Sequence, residues 1–285
     1  MGINERLRRG FSISAFALCL LGAAFSFGGC EQQSEGCLDF RALTVALDAD
    51  DACTDCCTYP SLQLQFVPIR IGVDTFFSLR NTDTLVNGSV LGTEPELGFY
   101  LHEIFLIADD GERFEMQDTF TVFSGDGTAN FLVESSVLRV SPFRQTSYTL
   151  GTLLEEKTFV AIEASLGLPD LLSSADVSLQ PTTSPLYRGT DSLLLSTDNN
   201  YLDLAFKFEQ STGIRDSFEL TDAMDQLVRW DLPVSLDYAP SYNLLITLGL
   251  PADNLLLINN GTVSGDVFVT QFLEEALVLE IGLSR

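Results

Sequence analysis

ELGFYLHEIFLIADDGERFEM, residues 96–116, reads as two strands joined at Asp109-Asp110-Gly111. Gly supplies the positive φ that a tight antiparallel reversal needs, so the stretch predicts a β-hairpin. Just before it, LQLQFVPIRI (62–71) alternates Leu62, Leu64 and Phe66 with Gln63 and Gln65, the period of a half-buried strand. Downstream, FTVFS (120–124), SSVLRV (135–140), KTFVAIEASLG (157–167), DSLLLST (191–197), YLDLAFKFE (201–209), DSFELT (216–221), VRWDLPVSLDY (228–238), NLLITLG (243–249) and LLLINNGTVSG (255–265) repeat the theme. The separators are rich in Gly, Pro, Asn, Asp and Ser, as turns require. Short strands at this spacing predict an all-β fold, an antiparallel β-sandwich, rather than a parallel α/β sheet. Helical spacing shows only in DVFVTQFLEEALVLEIG (266–282), where Val269, Phe272, Leu273 and Ala276 share a face. Short helices around Ser173 or Asp222 are weaker candidates, so the fold class allows at most one or two.

The N-terminal end carries a different signal. An apolar run, residues 11–27, follows Arg6, Arg8 and Arg9 and leads into Gly28-Gly29-Cys30 before the chain turns polar. That is the pattern of an export signal. Ser26-Phe27-Gly28-Gly29-Cys30 resembles the lipobox of bacterial lipoproteins, with Phe27 where Leu is commoner. The resemblance implies cleavage before Cys30 and lipid on that residue. Glu31 in the next position implies sorting to the outer membrane, on its periplasmic or cell-surface face. A membrane-spanning helix needs about 20 apolar residues, and this run is shorter and contains Gly and Ser.

Composition sets further bounds. Of 285 residues, 15 are Lys or Arg and 40 are Asp or Glu, for a net charge of −25. Such a surface repels phosphates, so nucleic acid is excluded as a partner and anionic head groups are poor ones. A hydrophobic content of 46% argues against intrinsic disorder. Setting aside Cys19 in the signal and Cys30 leaves Cys37, Cys53, Cys56 and Cys57, an even number in an exported chain, which favours disulfides over a zinc site. Four cysteines allow three pairings, and sequence alone does not choose among them. A bond between the adjacent Cys56 and Cys57 would strain the peptide between them, and of the pairings left the expectation is Cys37 with Cys57 and Cys53 with Cys56. The expected organisation is a signal over 1–29, a lipid-anchored, disulfide-clasped tether over 30–60, and a sandwich over 61–285.

Candidate chemistry is sparse. Asp48, Asp50, Asp51 and Asp55 form an acidic loop with the oxygen ligands calcium prefers, although it lacks the Gly that turns a helix-loop-helix calcium site. The default for such a loop is solvation. His102, the chain's one histidine, is the candidate copper ligand, against the plainer reading of a surface or hydrogen-bonded strand histidine. Met116 and Met224 are the methionines left once the signal is gone. Trp230 reads as core. Neither Ser124 nor Ser165 sits in Gly-x-Ser-x-Gly, and a Ser-His-Asp arrangement would have to use His102. Glu155-Glu156 and Glu274-Glu275 are carboxylate pairs whose default is solvation.

Taken in order, LQLQFVPI, ELGFYLHEIFLIADDGERFEM, FVAIEASLGLPDLL and SPLYRGTDSLLLSTDNNYLDLAFKFE resemble the MbnP-like family, over about Leu62 to Glu209. GCLDFRALTVALDADDACTDCCTYP resembles the cysteine-clasped segment that precedes some members. The resemblance implies an exported, often lipid-anchored β-sandwich associated with copper, in some cases beside a di-haem peroxidase-like partner protein. Two departures qualify it. Only Tyr201 survives where members carry tryptophans and a Gly-Tyr, and no histidine stands in DSFELTDAMD. The expectation is a non-enzymatic outer-membrane lipoprotein that binds copper. Its alternative is a metal-free surface interaction or ligand-binding module; a hydrolase using two carboxylates is the least supported reading.

Overall fold

The structure, a computed structural model, describes residues 34–53, 55–70, 73–76, 95–116, 118–124, 130–144, 147–188, 193–209, 211–213, 215–221, 226–251, 254 and 272–284. Two compact units emerge: residues 34–39 with 44–57, and residues 40–43 with 58–284. In the first, β1 (Glu35–Gly36) pairs in parallel with β2 (Asp51–Ala52), and Cys37 bridges to Val45. Cys37 is bonded to Cys57 and Cys53 to Cys56, with Cα separations of 5.0 and 5.8 Å. A Cβ on Gly36 would stand 2.7 Å from the Ala46 Cβ and 2.8 Å from the Ala49 Cβ, so this small unit closes only around a glycine.

The larger unit holds β3 (Ser61–Arg70), β4 (Val73–Phe76), β5 (Glu96–Ala108), β6 (Arg113–Glu115), β7 (Asp118–Phe123), β8 (Asn130–Ser135), β9 (Val137–Val140), β10 (Ser147–Thr152) and β11 (Lys157–Leu166). After the four-residue helix α1 (Asp170–Ser173) come β12 (Leu204–Glu209), β13 (Arg215–Leu220), β14 (Gln226–Tyr238), β15 (Asn243–Pro251) and β16 (Leu277–Ser284). One sheet runs β10-β3-β15-β16, with β4 on β3; the other runs β13-β12-β5-β11-β14, with β6 and β9 also on β5. Pairings within the sandwich are antiparallel except that β3 lies parallel to β15, Leu62 opposite Leu244. A parallel pair needs a long crossover. Here β4 to β14 intervene, of which β4 and β10 join the β3 sheet and most of the rest build the other.

The main core lies between the sheets. Leu62, Leu64 and Phe66 of β3 and Leu244, Ile246 and Leu248 of β15 meet Phe99, Leu101, Phe159, Ile162 and Trp230 from the other layer. The Phe66 ring stands edge-on to Phe99 and Trp230, at centroid distances of 6.1 and 6.5 Å. Each such side chain contributes about 1.5–3 kcal/mol of burial. A second core covers the opposite face of β5: Tyr100 and Ala205 pack with Leu172, Leu186, Leu193, Leu194 and Tyr201, under Phe120 and Val122 of the β7–β8 hairpin. With both faces covered, β5 is apolar nearly throughout rather than alternating.

The hairpin at 96–116 forms as read: Gly111 takes φ +86° and its N–H donates to the Ala108 carbonyl at 3.0 Å. Elsewhere the structure corrects the reading. Residues 277–284 are strand β16, not helix, because Val278 and Ile281 pack on the core from a strand paired to β15. DSLLLST is no strand in its described part; Leu193 and Leu194 sit in turns that plug the second core, with one bridge from Leu195 to Tyr201. β8 and β10 were not read from the sequence. LLLINNGTVSG and the helix candidate at Asp222 lie outside the described residues, as do Cys30 and the signal.

Candidate functional site

β5 carries His102, and its pairing explains where the side chain goes. At Phe99 it is flanked by β12 and β9, at His102 by β11 and β9, so β12 and β11 lie end to end along one edge. Tyr100 spans the seam between them. Its N–H donates to the Asp203 carbonyl and its carbonyl accepts from the Gly167 N–H, both at 2.9 Å. On the other edge β5 bulges at Glu103 (φ +49°), whose N–H reaches the Ser136 carbonyl at 3.1 Å while the Ile104 N–H reaches Ser136 Oγ.

Three polar groups are buried at the seam. His102 is 2% exposed and its Nδ1–H donates to the Gly167 carbonyl at 2.9 Å. Gly167 takes φ +107°, and a Cβ there would lie 3.1 Å from Cγ and Oδ1 of Asp203. Asp203 in turn accepts the Leu168 N–H on Oδ1 at 2.8 Å. Imidazole and carboxylate thus grip the two ends of one peptide group, the Gly167 carbonyl and the Leu168 N–H, in the turn that ends β11. Buried backbone groups are costly when unpaired, so this grip has a structural purpose. Ser165 stands opposite His102 in register. A Ser-His-Asp triad would need the Nδ1–H aimed at a carboxylate, whereas here it faces a carbonyl.

The fit to copper is poor. One imidazole nitrogen is engaged by Gly167, Met116 is packed in the main core, and the four described cysteines are disulfide-bonded. Among the described residues no three His, Cys, Asp or Glu side chains gather as a metal would need. The calcium candidates fare similarly: Asp48, Asp50, Asp51 and Asp55 are exposed, Asp51 opens β2, and Asp50 Oδ2 accepts from the Ser34 N–H at 3.2 Å. That carboxylate closes a loop.

Two clefts open on the sandwich. A groove of about 590 Å³ runs past Asp231 and Pro233 of β14 and Leu277, Leu279 and Glu280 of β16. Another, of about 410 Å³, lies where β7, β9, β10 and the 183–187 loop converge. No sequence motif marked either, since their walls come from segments far apart in the chain. No helix among the described residues is long and apolar enough to cross a membrane.

No protein-family model matches the sequence, and no curated protein does. Among solved structures, MbnP from Methylosinus trichosporium matches at 10% identity and a TM-score of 0.38, covering 67% of this chain and 76% of that one. So distant a likeness transfers neither residues nor activity.

Proposed function

We propose that this chain is an exported, lipid-anchored β-sandwich that serves as a non-enzymatic surface interaction or ligand-binding module at the bacterial outer membrane. The observation that carries the reading is His102: the side chain on which a copper centre or a Ser-His-Asp triad would depend is buried and committed to the Gly167 carbonyl. Disulfides suit an oxidising compartment, and the lipobox-like Ser26–Cys30 supplies the anchor. One acyl chain alone binds membranes marginally, so a durable anchor requires the several chains of a lipoprotein N-terminus.

Palmitate incorporation lost on Cys30→Ser tests the anchor; equal labelling of both forms would refute it. Copper titration tests the rest, with no stoichiometric site expected. The order of the MbnP-like blocks favours copper as the second reading, with a di-haem protein as partner. One tight copper ion per chain, lost on His102→Ala while the fold persists, would establish that reading instead.

A further inference from the structure

The cleft of about 410 Å³ has walls of a particular chemistry. Asp118 of β7 and Arg139 of β9 supply a carboxylate and a guanidinium, Thr149 of β10 and Thr183 supply hydroxyls, and Tyr187, 41% exposed, lies at the loop side. Donors and acceptors thus line one cleft together with an aromatic residue.

The walls are held in place before any ligand arrives. Arg139 Nη1 donates to the Tyr187 carbonyl at 3.1 Å. The loop turns on itself through the Tyr187 N–H to the Ser184 carbonyl at 3.0 Å and the Leu186 N–H to Ser184 Oγ at 3.2 Å. Leu186 is fully buried, and its carbonyl accepts the Tyr201 hydroxyl at 3.0 Å. Opposite, the Tyr148 hydroxyl accepts the Ser141 N–H at 2.6 Å. Preorganised polar groups of this kind lower the ordering cost of binding, and the volume falls in the range of small-ligand sites, ~300–1,000 Å³.

Charge narrows the ligand class. A chain of net charge −25, with Asp118 at the cleft, disfavours anions, and Arg139 disfavours cations. A peptide anchor wants a deep apolar pocket, whereas this cleft offers hydroxyls. Donors and acceptors that share one cleft with a partly exposed ring suit a neutral polyhydroxylated molecule with an apolar ring face. We propose that the cleft binds a neutral carbohydrate, a stretch of surface or extracellular glycan. The proposal deepens the ligand-binding reading and assigns its site.

The test is saturation-transfer NMR on the full chain, held in a sugar-free detergent, with maltose, cellobiose, mannobiose and N,N′-diacetylchitobiose at millimolar concentration. At least one sugar should receive saturation, and affinity should fall roughly tenfold with Tyr187→Ala, through lost ring contact, and with Thr149→Val, through a lost hydroxyl. Tyr187→Phe should retain binding, which separates ring stacking from damage to the loop. No transfer to any of the four, or binding unchanged in Tyr187→Ala and Thr149→Val, overturns the proposal. Binding of a peptide at this cleft in place of sugar would overturn it equally. Palmitate labelling and copper titration report on the wider function independently, so each can fail alone.

Discussion

Gly167 is the residue on which the seam of the seven-stranded sheet closes. Its φ of +107° lies where side chains other than glycine are strained, and the missing Cβ makes room for the Asp203 carboxylate. Gly167→Ala should therefore cost on the order of 1–3 kcal/mol in urea unfolding. A loss under a few tenths would show that the turn relaxes freely. His102→Ala leaves a buried carbonyl without its imidazole donor and should cost a similar ~1–3 kcal/mol, followed by the same measurement. What the sequence left open was which fate His102 takes, ligand or strut. The deciding partner is 65 residues away, a separation no local pattern encodes. The cysteines were legible as a local clasp, since Cys37 and Cys57 close a short segment that needs no distant chain, while their pairing was not fixed by spacing.

At the scale of elements, alternation and turn chemistry carried the hairpin of β5 and β6, where Gly111 needs its positive φ and nothing competes. They failed at Leu193 and Leu194, because an apolar run reads alike whether it pairs as a strand or plugs a core from a turn. They failed again at β16, where a stretch read as helical from Val269, Phe272, Leu273 and Ala276 continues from Leu277 as a strand laddered to β15. The cleft was illegible for the same reason: Asp118, Arg139, Thr149 and Tyr187 belong to four separate segments. The approach to β16 has a check of its own. Trp230 of β14, 2% exposed, donates its Nε1–H to the Leu273 carbonyl at 2.7 Å, fastening the turn before β16 to the facing sheet. Trp230→Phe keeps an aromatic ring but removes that donor and leaves the carbonyl with the Ala276 N–H at 3.2 Å, so a loss of about 1 kcal/mol is expected. Circular dichroism in urea would measure it, since the substitution removes the chain's one tryptophan. Unchanged stability would mean that water replaces the donor at no cost.

Over the whole molecule, titration and charge set the conditions under which the sandwich holds. Burial raises the Tyr148 and Tyr238 phenols from 10.0 to about 12 and pushes Tyr201 higher still. Unfolded phenols lose their protons first as pH rises, so between about 10 and 12 the unfolded chain binds fewer protons and stability falls with pH. Tyr238→Phe should flatten part of that fall in pH-dependent urea unfolding, and an unaltered slope would assign the fall to other groups. Salt acts through two opposed effects. Exposed pairs such as Lys157 with Asp110 and Glu112, and Arg229 with Asp231, weaken as salt rises and contribute little individually. Against them stands the mutual repulsion of a chain with 40 acidic and 15 basic residues, which screening relieves. The carboxylates outnumber the cations that could neutralise them, so repulsion should win. Urea, being uncharged, isolates the effect: the unfolding midpoint should rise as sodium chloride goes from ~0.05 to ~0.5 M, where the screening length shortens from above 10 Å to a few ångströms. A midpoint that falls instead would mean that local ion pairs outweigh the collective charge, and that the acidic surface is already arranged around its few cations.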